Sequence, residues 1–402
     1  MELEDILSKL EDSVRNKVIG IVHKVNDKKA VMKSLDKIFK EYAETPEIYK
    51  NIIDDVSTYP EYAKYLLDIF SSKEVKKVLR LYYIYEPELI RGIVFTFTNY
   101  TIEKLRREGQ EKAMEYINLL SEIYLNNAFL DTIEKHHPEI AETIILETAY
   151  LTTNIKNVEK VLTIVRDLYS NATIRQAIKF YLYRDMSSIA KDIVHFSGNL
   201  ALRGITTEDI AKIVYRLYLS KEGIKQVAEV YSAMGMSNIV EVIFGDILKH
   251  IRNGKNIENI FDIVCRQSNV YLDTNIVKIM KAFKSYDPLA IVNVIYIINE
   301  LAKRGKSENY IKNVVFNIWY AYKKVPSTLR HIRDIVVEVE DDKKIEEVLE
   351  VFSDPKFVTE LFRKFDINLE LESMRPHEKA DYIIALYKMF KMQGNSETIY
   401  EG

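Results

Sequence analysis

The sequence predicts an all-α protein built from repeated helical units. Only 12 glycines and 8 prolines occur among 402 residues, so long segments run without helix breakers. Apolar residues recur at three- and four-residue spacing, as in Ile48, Ile52, Ile53 and Val56, which is the period of a helix with one buried face. Turn signals also return at intervals of about fifty residues. We therefore predict a right-handed α-solenoid of stacked three-helix units of about 50 residues.

Residues 1–86 are predicted to form an N-terminal helical region. Pro46 and Pro60 stand at first helical positions, where the missing N–H of proline would have no helical partner in any case. No stretch rich in glycine, proline or serine separates this region from the rest of the chain. The apolar pattern indicates helices near residues 3–24, 28–43, 46–57, 60–71 and 73–84.

A regular register begins at Pro87. Helix-start signals lie at Pro87, Pro138, Ser187, Ser237 and Pro288, separated by 51, 49, 50 and 51 residues. Because the spacing is nearly constant, we predict five units between residues 87 and 340. Their predicted bounds are 87–137, 138–186, 187–236, 237–287 and 288–340.

The last three of these units share a glycine corner between their first and second helices. The glycine follows the helix start by 17 residues, and a residue suited to capping the next helix follows two positions later. Glycine accepts the left-handed backbone that ends a helix, and the cap then satisfies free N–H groups of the next helix. The glycines are Gly204, Gly254 and Gly305, and the caps are Thr206, Asn256 and Ser307.

A third helix completes each unit, and the pattern then changes near residue 340. The third helices are predicted to begin near Ala128, Thr173, Glu222, Thr274 and Ser327. Residues 341–393 are predicted to form a C-terminal helical cap, with Pro376 opening its last helix. Residues 394–402 are predicted to be a flexible tail.

Stacked helical units with this spacing and these glycine corners resemble the HEAT and armadillo repeat class. The resemblance covers about residues 40–340, although the period of about fifty exceeds the forty or so residues usual in that class. It implies a superhelical scaffold that offers a long groove to a partner. It implies no particular functional residue.

Composition limits the classes of function. Apolar residues make up 47% and charged residues 29% of the chain, and the net charge is −3, so no general attraction to nucleic acid or anionic membrane is expected. The single cysteine, Cys265, fits a reducing compartment. The most apolar run, residues 289–302, is too short and too polar to span a bilayer. Since the acidic start of the chain also lacks the features of a signal peptide, we expect a cytoplasmic protein without a membrane span.

No motif predicts catalysis, a cofactor or a metal. Gly305-Lys306-Ser307 is similar to the end of a phosphate-binding loop, but Glu300 stands where that motif needs glycine, and the loop would have to follow a strand. A histidine pair and two acidic pairs lack the further ligands that a metal site would require. These pairs are His136-His137, Asp54-Asp55 and Asp341-Asp342. We therefore predict a protein that is not an enzyme, with no cofactor and no metal.

Two other candidates have a packing interpretation and a functional one. Cys265 lies on an apolar helix face, which favours packing over a nucleophile. Trp319 stands among Phe316, Tyr320 and Tyr322; these rings belong either to the core between helices or to a surface that binds a partner.

Basic residues gather at the predicted corners and form a candidate edge for binding a partner or phosphates. If the units stack in register, equivalent corners line up on one side. A second explanation is that cations at a helix C-terminus stabilise it through the helix dipole by about 0.3–1 kcal/mol each. The candidate residues are Arg106, Arg107, Arg203, Arg252, Lys255, Lys303, Arg304 and Lys306.

The first functional hypothesis is a non-enzymatic scaffold or adaptor that binds a protein partner in its superhelical groove. The alternative is a nucleic-acid-binding array that uses the basic edge. A third and less favoured hypothesis is an enzyme whose catalytic residues are far apart in sequence and therefore form no local motif.

Overall fold

The computed structural model of the chain describes residues 7, 10–245, 249, 255–364 and 368–397. The regular structure of these residues is helical, and they contain no strand, so the predicted all-α class is confirmed. The helices of the first half are α1 (Asp12–Lys24), α2 (Lys28–Glu41), α3 (Pro46–Thr58), α4 (Ala63–Phe70), α5 (Lys73–Tyr85), α6 (Ile90–Glu108), α7 (Gln110–Tyr124), α8 (Asn127–Ile133), α9 (Pro138–Ile155), α10 (Val158–Ser170), α11 (Ala172–Leu182) and α12 (Ser187–Leu202). The helices of the second half are α13 (Thr207–Val214), α14 (Lys225–Ala233), α15 (Ser237–Phe244), α16 (Ile257–Tyr271), α17 (Thr274–Tyr286), α18 (Pro288–Lys303), α19 (Glu308–Lys324), α20 (Thr328–Glu338), α21 (Asp342–Val351), α22 (Pro355–Lys364), α23 (Asn368–Ser373) and α24 (Pro376–Glu397).

One compact unit comprises the described residues up to Lys179 together with Ala190–Lys212. Within it, α1, α3, α6 and α9 pack side by side in chain order. Their apolar faces form the core of this unit, where Ile52, Phe97 and Ile144 are fully buried. The three- and four-residue spacing in the sequence therefore corresponds to buried helix faces.

The other compact unit comprises Phe180–Ile189 and the described residues from Ile213 onward. Its central helix is α18, which contacts α15, α16, α17, α19 and α20. Ile295 and Ile297 lie two positions apart and so project to nearly opposite sides of α18, and both are buried. A helix that is apolar nearly all round is stable only when other elements cover several of its sides, and α18 meets that expectation.

The glycine corners follow the predicted chemistry where the structure describes them. Gly204 and Gly305 have φ of 80° and 79°, the left-handed region that glycine tolerates best. The side chains of Thr206 and Ser307 accept hydrogen bonds from backbone N–H groups in the first turn of the next helix. Gly254 lies outside the described residues, although its predicted cap, Asn256, accepts from the N–H of Glu258.

Helix α9, the first helix of the unit predicted at residues 138–186, ends without a glycine. Lys156 takes the left-handed position instead, with φ of 50°. Asn157 follows it directly and caps α10 by accepting from the N–H of Lys160. A non-glycine residue in this region is strained by the contact between its Cβ and the backbone, so this corner is held by its surroundings.

Buried tyrosines join helices that are far apart in the sequence. In four places a tyrosine hydroxyl donates to the backbone carbonyl at or next to the last residue of a helix further along the chain. Carbonyls at a helix C-terminus have no partner within their own helix, so the hydroxyl satisfies a group that would otherwise be buried without a hydrogen bond. The four bonds are Tyr42 to Phe70 at 2.7 Å, Tyr82 to Tyr124 at 3.1 Å, Tyr181 to Tyr218 at 2.8 Å and Tyr231 to Tyr271 at 3.2 Å.

A second set of tyrosine hydrogen bonds reaches side chains or carbonyls within a later helix. Tyr124 donates to the carbonyl of Ile145 in α9 at 2.9 Å, and Tyr169 donates to the carbonyl of Val194 in α12 at 3.2 Å. Tyr271 donates to the side-chain oxygen of Asn299 in α18 at 3.1 Å. The same kind of side chain therefore performs the same task at several points of the chain.

The C-terminal helices close the second unit. Helix α24 packs on α20 and α21 and continues to Glu397, so it includes the first residues of the predicted tail at 394–402. The remainder of that tail, 398–402, lies outside the described residues. Within the described part of the chain, no helix is both long and apolar enough to cross a membrane.

Candidate functional site

The basic residues around Gly305 are engaged in ion pairs. Arg304 donates to Asp342 at 2.7 Å and to the backbone carbonyl of Val339 at 2.8 Å, and Lys306 lies 2.7 Å from Glu346. Only 15% of the Arg304 side chain is exposed. The hydrogen bond from Arg304 lowers the pKa of the Asp342 carboxyl. These cations therefore attach the corner between α18 and α19 to the start of α21.

The structure does not bring the other described candidates of the second unit to the carboxylates of Asp342 and Glu346. Lys303 is 3.8 Å from Glu300 in its own helix, and Lys255 is exposed before α16. Arg252 lies outside the described residues. Arg304 and Lys306 are brought together because both reach Asp342.

In the first unit the adjacent residues Arg106 and Arg107 turn to different partners. Arg106 donates to the hydroxyl of Tyr62 and lies 3.3 Å from Glu61. Arg107 pairs with Glu103 one turn earlier in α6, at 2.8 Å. Five of the eight candidates thus have a carboxylate partner in the described structure: Arg106, Arg107, Lys303, Arg304 and Lys306.

Arg203 is exposed at the C-terminal end of α12. This position allows it to act on the helix dipole.

A buried carboxylate and a histidine form an unusual polar pair in the first unit, which the sequence did not predict. Nδ1 of His195 in α12 lies 2.7 Å from Oε2 of Glu147 in α9. Glu147 is 3% exposed, and its carboxylate lies so close to Gly198 that a Cβ at that position would overlap it. The pair fixes the orientation of the imidazole ring and joins two helices.

The sequence does contain a signal for this pair. Glu147 stands between Ile144, Ile145 and Ala149 in α9, and a carboxylate on such an apolar face is buried only when it is paired. The partner is 48 residues away, so no local pattern could name it. Among the described residues, no three His, Cys, Asp or Glu side chains come together in a way that could hold a metal ion.

The remaining polar candidates have structural partners. His136 donates from Nε2 to the carbonyl of Tyr169 at 2.9 Å, and burial lowers its pKa to about 4. Burial raises the pKa of Cys265 to about 11, which disfavours the reactive thiolate. Asp54 pairs with Lys17, and Asp341 caps α21 by accepting from the N–H of Lys343.

The aromatic residues near Trp319 divide between the interior and the surface. Trp319 packs on Phe283 of α17, with ring centroids 4.6 Å apart, and Tyr322 stacks beside it. Phe316 and Tyr320 are instead 54% and 46% exposed. The packing interpretation therefore holds for part of this group only.

Two lysines continue the exposed side of α19. The ammonium of Lys323 lies 4.7 Å from the ring centre of Trp319, and that of Lys324 lies 5.7 Å from the ring centre of Tyr320. Such placements are favourable because the ring face carries negative charge. We call Phe316, Trp319, Tyr320, Lys323 and Lys324 the aromatic–lysine face.

Comparison of the chain with protein-family models, curated proteins and solved structures finds no match. The function is therefore inferred from the geometry of the chain itself.

Proposed function

We propose that this protein is a non-enzymatic helical-repeat scaffold that binds a protein partner in a superhelical groove. The observation that carries the proposal is the recurring hydrogen bond from a buried tyrosine hydroxyl to the end of a later helix, as between Tyr231 and Tyr271. Contacts of the same kind that recur along the chain are expected when helical units stack in one direction as a solenoid. Proteins of that architecture commonly act through their extended surfaces.

The roles of the charged residues support this proposal over the nucleic-acid alternative. Arg304 and Lys306 are neutralised by Asp342 and Glu346, so they offer little unbalanced charge to a phosphate backbone. The net charge of −3 also opposes approach to a polyanion.

The experiment is capture from a lysate of the source cells by the full-length immobilised chain, followed by cross-linking and mass spectrometry. We expect a protein retained at a fixed ratio to the bait, before and after nuclease treatment of the lysate. A denatured and immobilised sample of the same chain serves as the control for non-specific retention. If no protein is retained beyond that control, the proposal is wrong.

The nucleic-acid alternative is tested with labelled duplex DNA and single-stranded RNA at low salt. Binding through phosphates would weaken with salt, with a slope of about −0.9 per phosphate contact on a log–log plot for duplex DNA. We expect no saturable binding. Saturable binding with that salt dependence would favour the alternative.

A further inference from the structure

The aromatic–lysine face occupies one side of α19. Residues three and four positions apart lie next to each other on a helix, so Phe316, Tyr320 and Lys323 form a continuous stripe. Single exposed apolar residues are common on protein surfaces. Two adjoining aromatic rings that are about half exposed, beside a partly exposed tryptophan, are the kind of patch that marks a binding surface.

The two lysines of this face differ from their neighbours in their charge environment. Near the N-terminal end of α19, Lys306 lies within ion-pair distance of Glu346, and Lys312 lies within ion-pair distance of Asp273. Lys323 and Lys324 have no such carboxylate partner in the part of the chain that the structure describes; both ammonium groups lie over aromatic rings instead. The exposed rings therefore border two positive charges that no carboxylate of the described residues pairs with.

We propose that the aromatic–lysine face binds an acidic amphipathic helix of a protein partner. This inference rests on the proposed scaffold function and specifies the chemistry of the partner. Apolar side chains of the partner helix would pack on Phe316 and Tyr320, in the manner of a helix that lays its apolar face on a hydrophobic surface. Its carboxylates would reach Lys323 and Lys324.

The charge count favours a protein helix over a polyanion. Nucleic acids and anionic lipid surfaces are held by clusters of several cations, whereas this face supplies two. Glu308 at the start of the same helix hydrogen-bonds Asn269, which adds negative charge near the other end of α19. A partner with an apolar stripe and a few carboxylates matches this distribution.

The test uses a displayed library of random helical peptides selected on the full-length protein. Trp319 is the single tryptophan of the chain and lies in this face, so its fluorescence reports occupancy directly. We expect the selected peptides to be acidic, to carry apolar residues at helical spacing, and to shift the Trp319 emission to a saturating value. Neutral or basic peptides as the dominant outcome would overturn the proposal.

Variants locate the binding site. The double substitution Phe316→Ala/Tyr320→Ala should raise the Kd of the selected peptides at least tenfold, and Lys323→Glu/Lys324→Glu should abolish binding of acidic peptides. Tyr183→Ala is the matched control, because Tyr183 is 81% exposed and lies outside this face. Circular dichroism confirms that each variant keeps the helical content of the parent. Peptides that bind the double variants as well as the parent would place the site elsewhere and overturn the proposal.

Three further outcomes separate this inference from its alternatives. If the parent self-associates in sedimentation experiments and Phe316→Ala/Tyr320→Ala is a monomer, a second copy covers the face and the proposal is wrong. If the lysate experiment captures a partner that the double variant retains equally well, the scaffold function stands and only the assignment of this face fails. If nothing is captured but selected peptides bind the face, the scaffold function is what fails.

Discussion

The tyrosine hydroxyls and the Glu147 carboxylate are buried polar groups, and each meets a partner from another helix. A buried polar atom without a hydrogen bond destabilises the fold by about 1–3 kcal/mol. Each of these side chains is therefore constrained at both ends: the ring or the stem packs in the core while the polar tip must find its acceptor. Contacts of this kind select one arrangement of two helices among many with similar apolar packing.

Tyr181→Phe tests this argument at one residue. The substitution removes the hydroxyl that donates to the carbonyl of Tyr218 at 2.8 Å and leaves that buried acceptor one donor short. We expect the free energy of unfolding, measured with urea, to fall by about 1 kcal/mol. The control is Tyr183→Phe, since the Tyr183 side chain is largely exposed, and it should be neutral. Equal stability of both variants would show that the bond contributes nothing.

Gly198→Ala tests the close approach of α9 and α12. The added Cβ would overlap the buried Glu147 carboxylate, so that carboxylate would have to shift away from His195. We expect a loss of about 1–3 kcal/mol in the free energy of unfolding, as for other overpacked cores. Gly20→Ala is the matched helical control because no atom lies within 4 Å of its new Cβ, and it should stabilise the protein by about 0.5–1 kcal/mol. Two effects of the same sign would contradict this interpretation.

At the scale of helices, the sequence predicted those features that depend on neighbouring residues. The helix starts at Pro138, Ser187 and Ser237 coincide with those of α9, α12 and α15, because proline placement, capping and apolar period are local. The corner at Gly305 was predictable for the same reason.

Contacts that depend on distant residues could not be predicted in this way. The pairing of Glu147 with His195 and the acceptors of the tyrosine hydroxyls depend on which helices become neighbours. The π-helical turn at Tyr215–Leu219 also lacked a signal, since its form depends on the return of the chain at Gly223, whose backbone lies close to the carbonyl of Leu217.

The docking of the last long helix gives a prediction at this scale. Lys379 of α24 lies 2.9 Å from Asp334 of α20, and both side chains are nearly buried. Burial alone would raise the pKa of Asp334, but hydrogen bonds from Lys379 and Arg333 lower it overall. A carboxyl with a lowered folded pKa stabilises the protein above its unfolded value, about 3.9, and loses that contribution as the pH falls through the folded value.

Lys379→Met should therefore destabilise the protein at neutral pH by about 1.5–3 kcal/mol, the range for hydrogen bonds to charged groups, and should flatten the fall in stability below pH ~4. Lys388→Met is the control, because the side chain of Lys388 is 67% exposed and 3.7 Å from Glu347. Urea unfolding of the three proteins across an acidic pH series measures both effects. A pH dependence identical to that of the parent would show that the pair does not hold α24.

In the described part of the molecule, a set of ion pairs connects distant parts of the chain to one another. The sequence carries 57 basic and 60 acidic residues, and several pairs join positions 35 to 45 residues apart, such as Lys306 with Glu346 and Lys379 with Asp334. The basic corners predicted from the sequence belong largely to this internal network. Surfaces available to a partner are then the places where charge or apolar area stays unmatched, and α19 provides one.

The tyrosine hydrogen bonds also determine how the molecule should respond to alkali. Burial raises the pKa of the tyrosines whose hydroxyls join helices, among them Tyr82, Tyr124, Tyr181 and Tyr271. A phenol with a raised folded pKa stabilises the protein fully below its unfolded value of about 10, and this contribution is lost as the pH rises.

In a spectrophotometric titration, fully solvated phenols ionise gradually near pH ~10. The buried tyrosines should ionise only in a single steep step that coincides with loss of the helical circular dichroism signal. A smooth titration of all 27 tyrosines with the helices intact would contradict this expectation. The tyrosine hydrogen bonds that join distant helices would thus make alkaline unfolding cooperative.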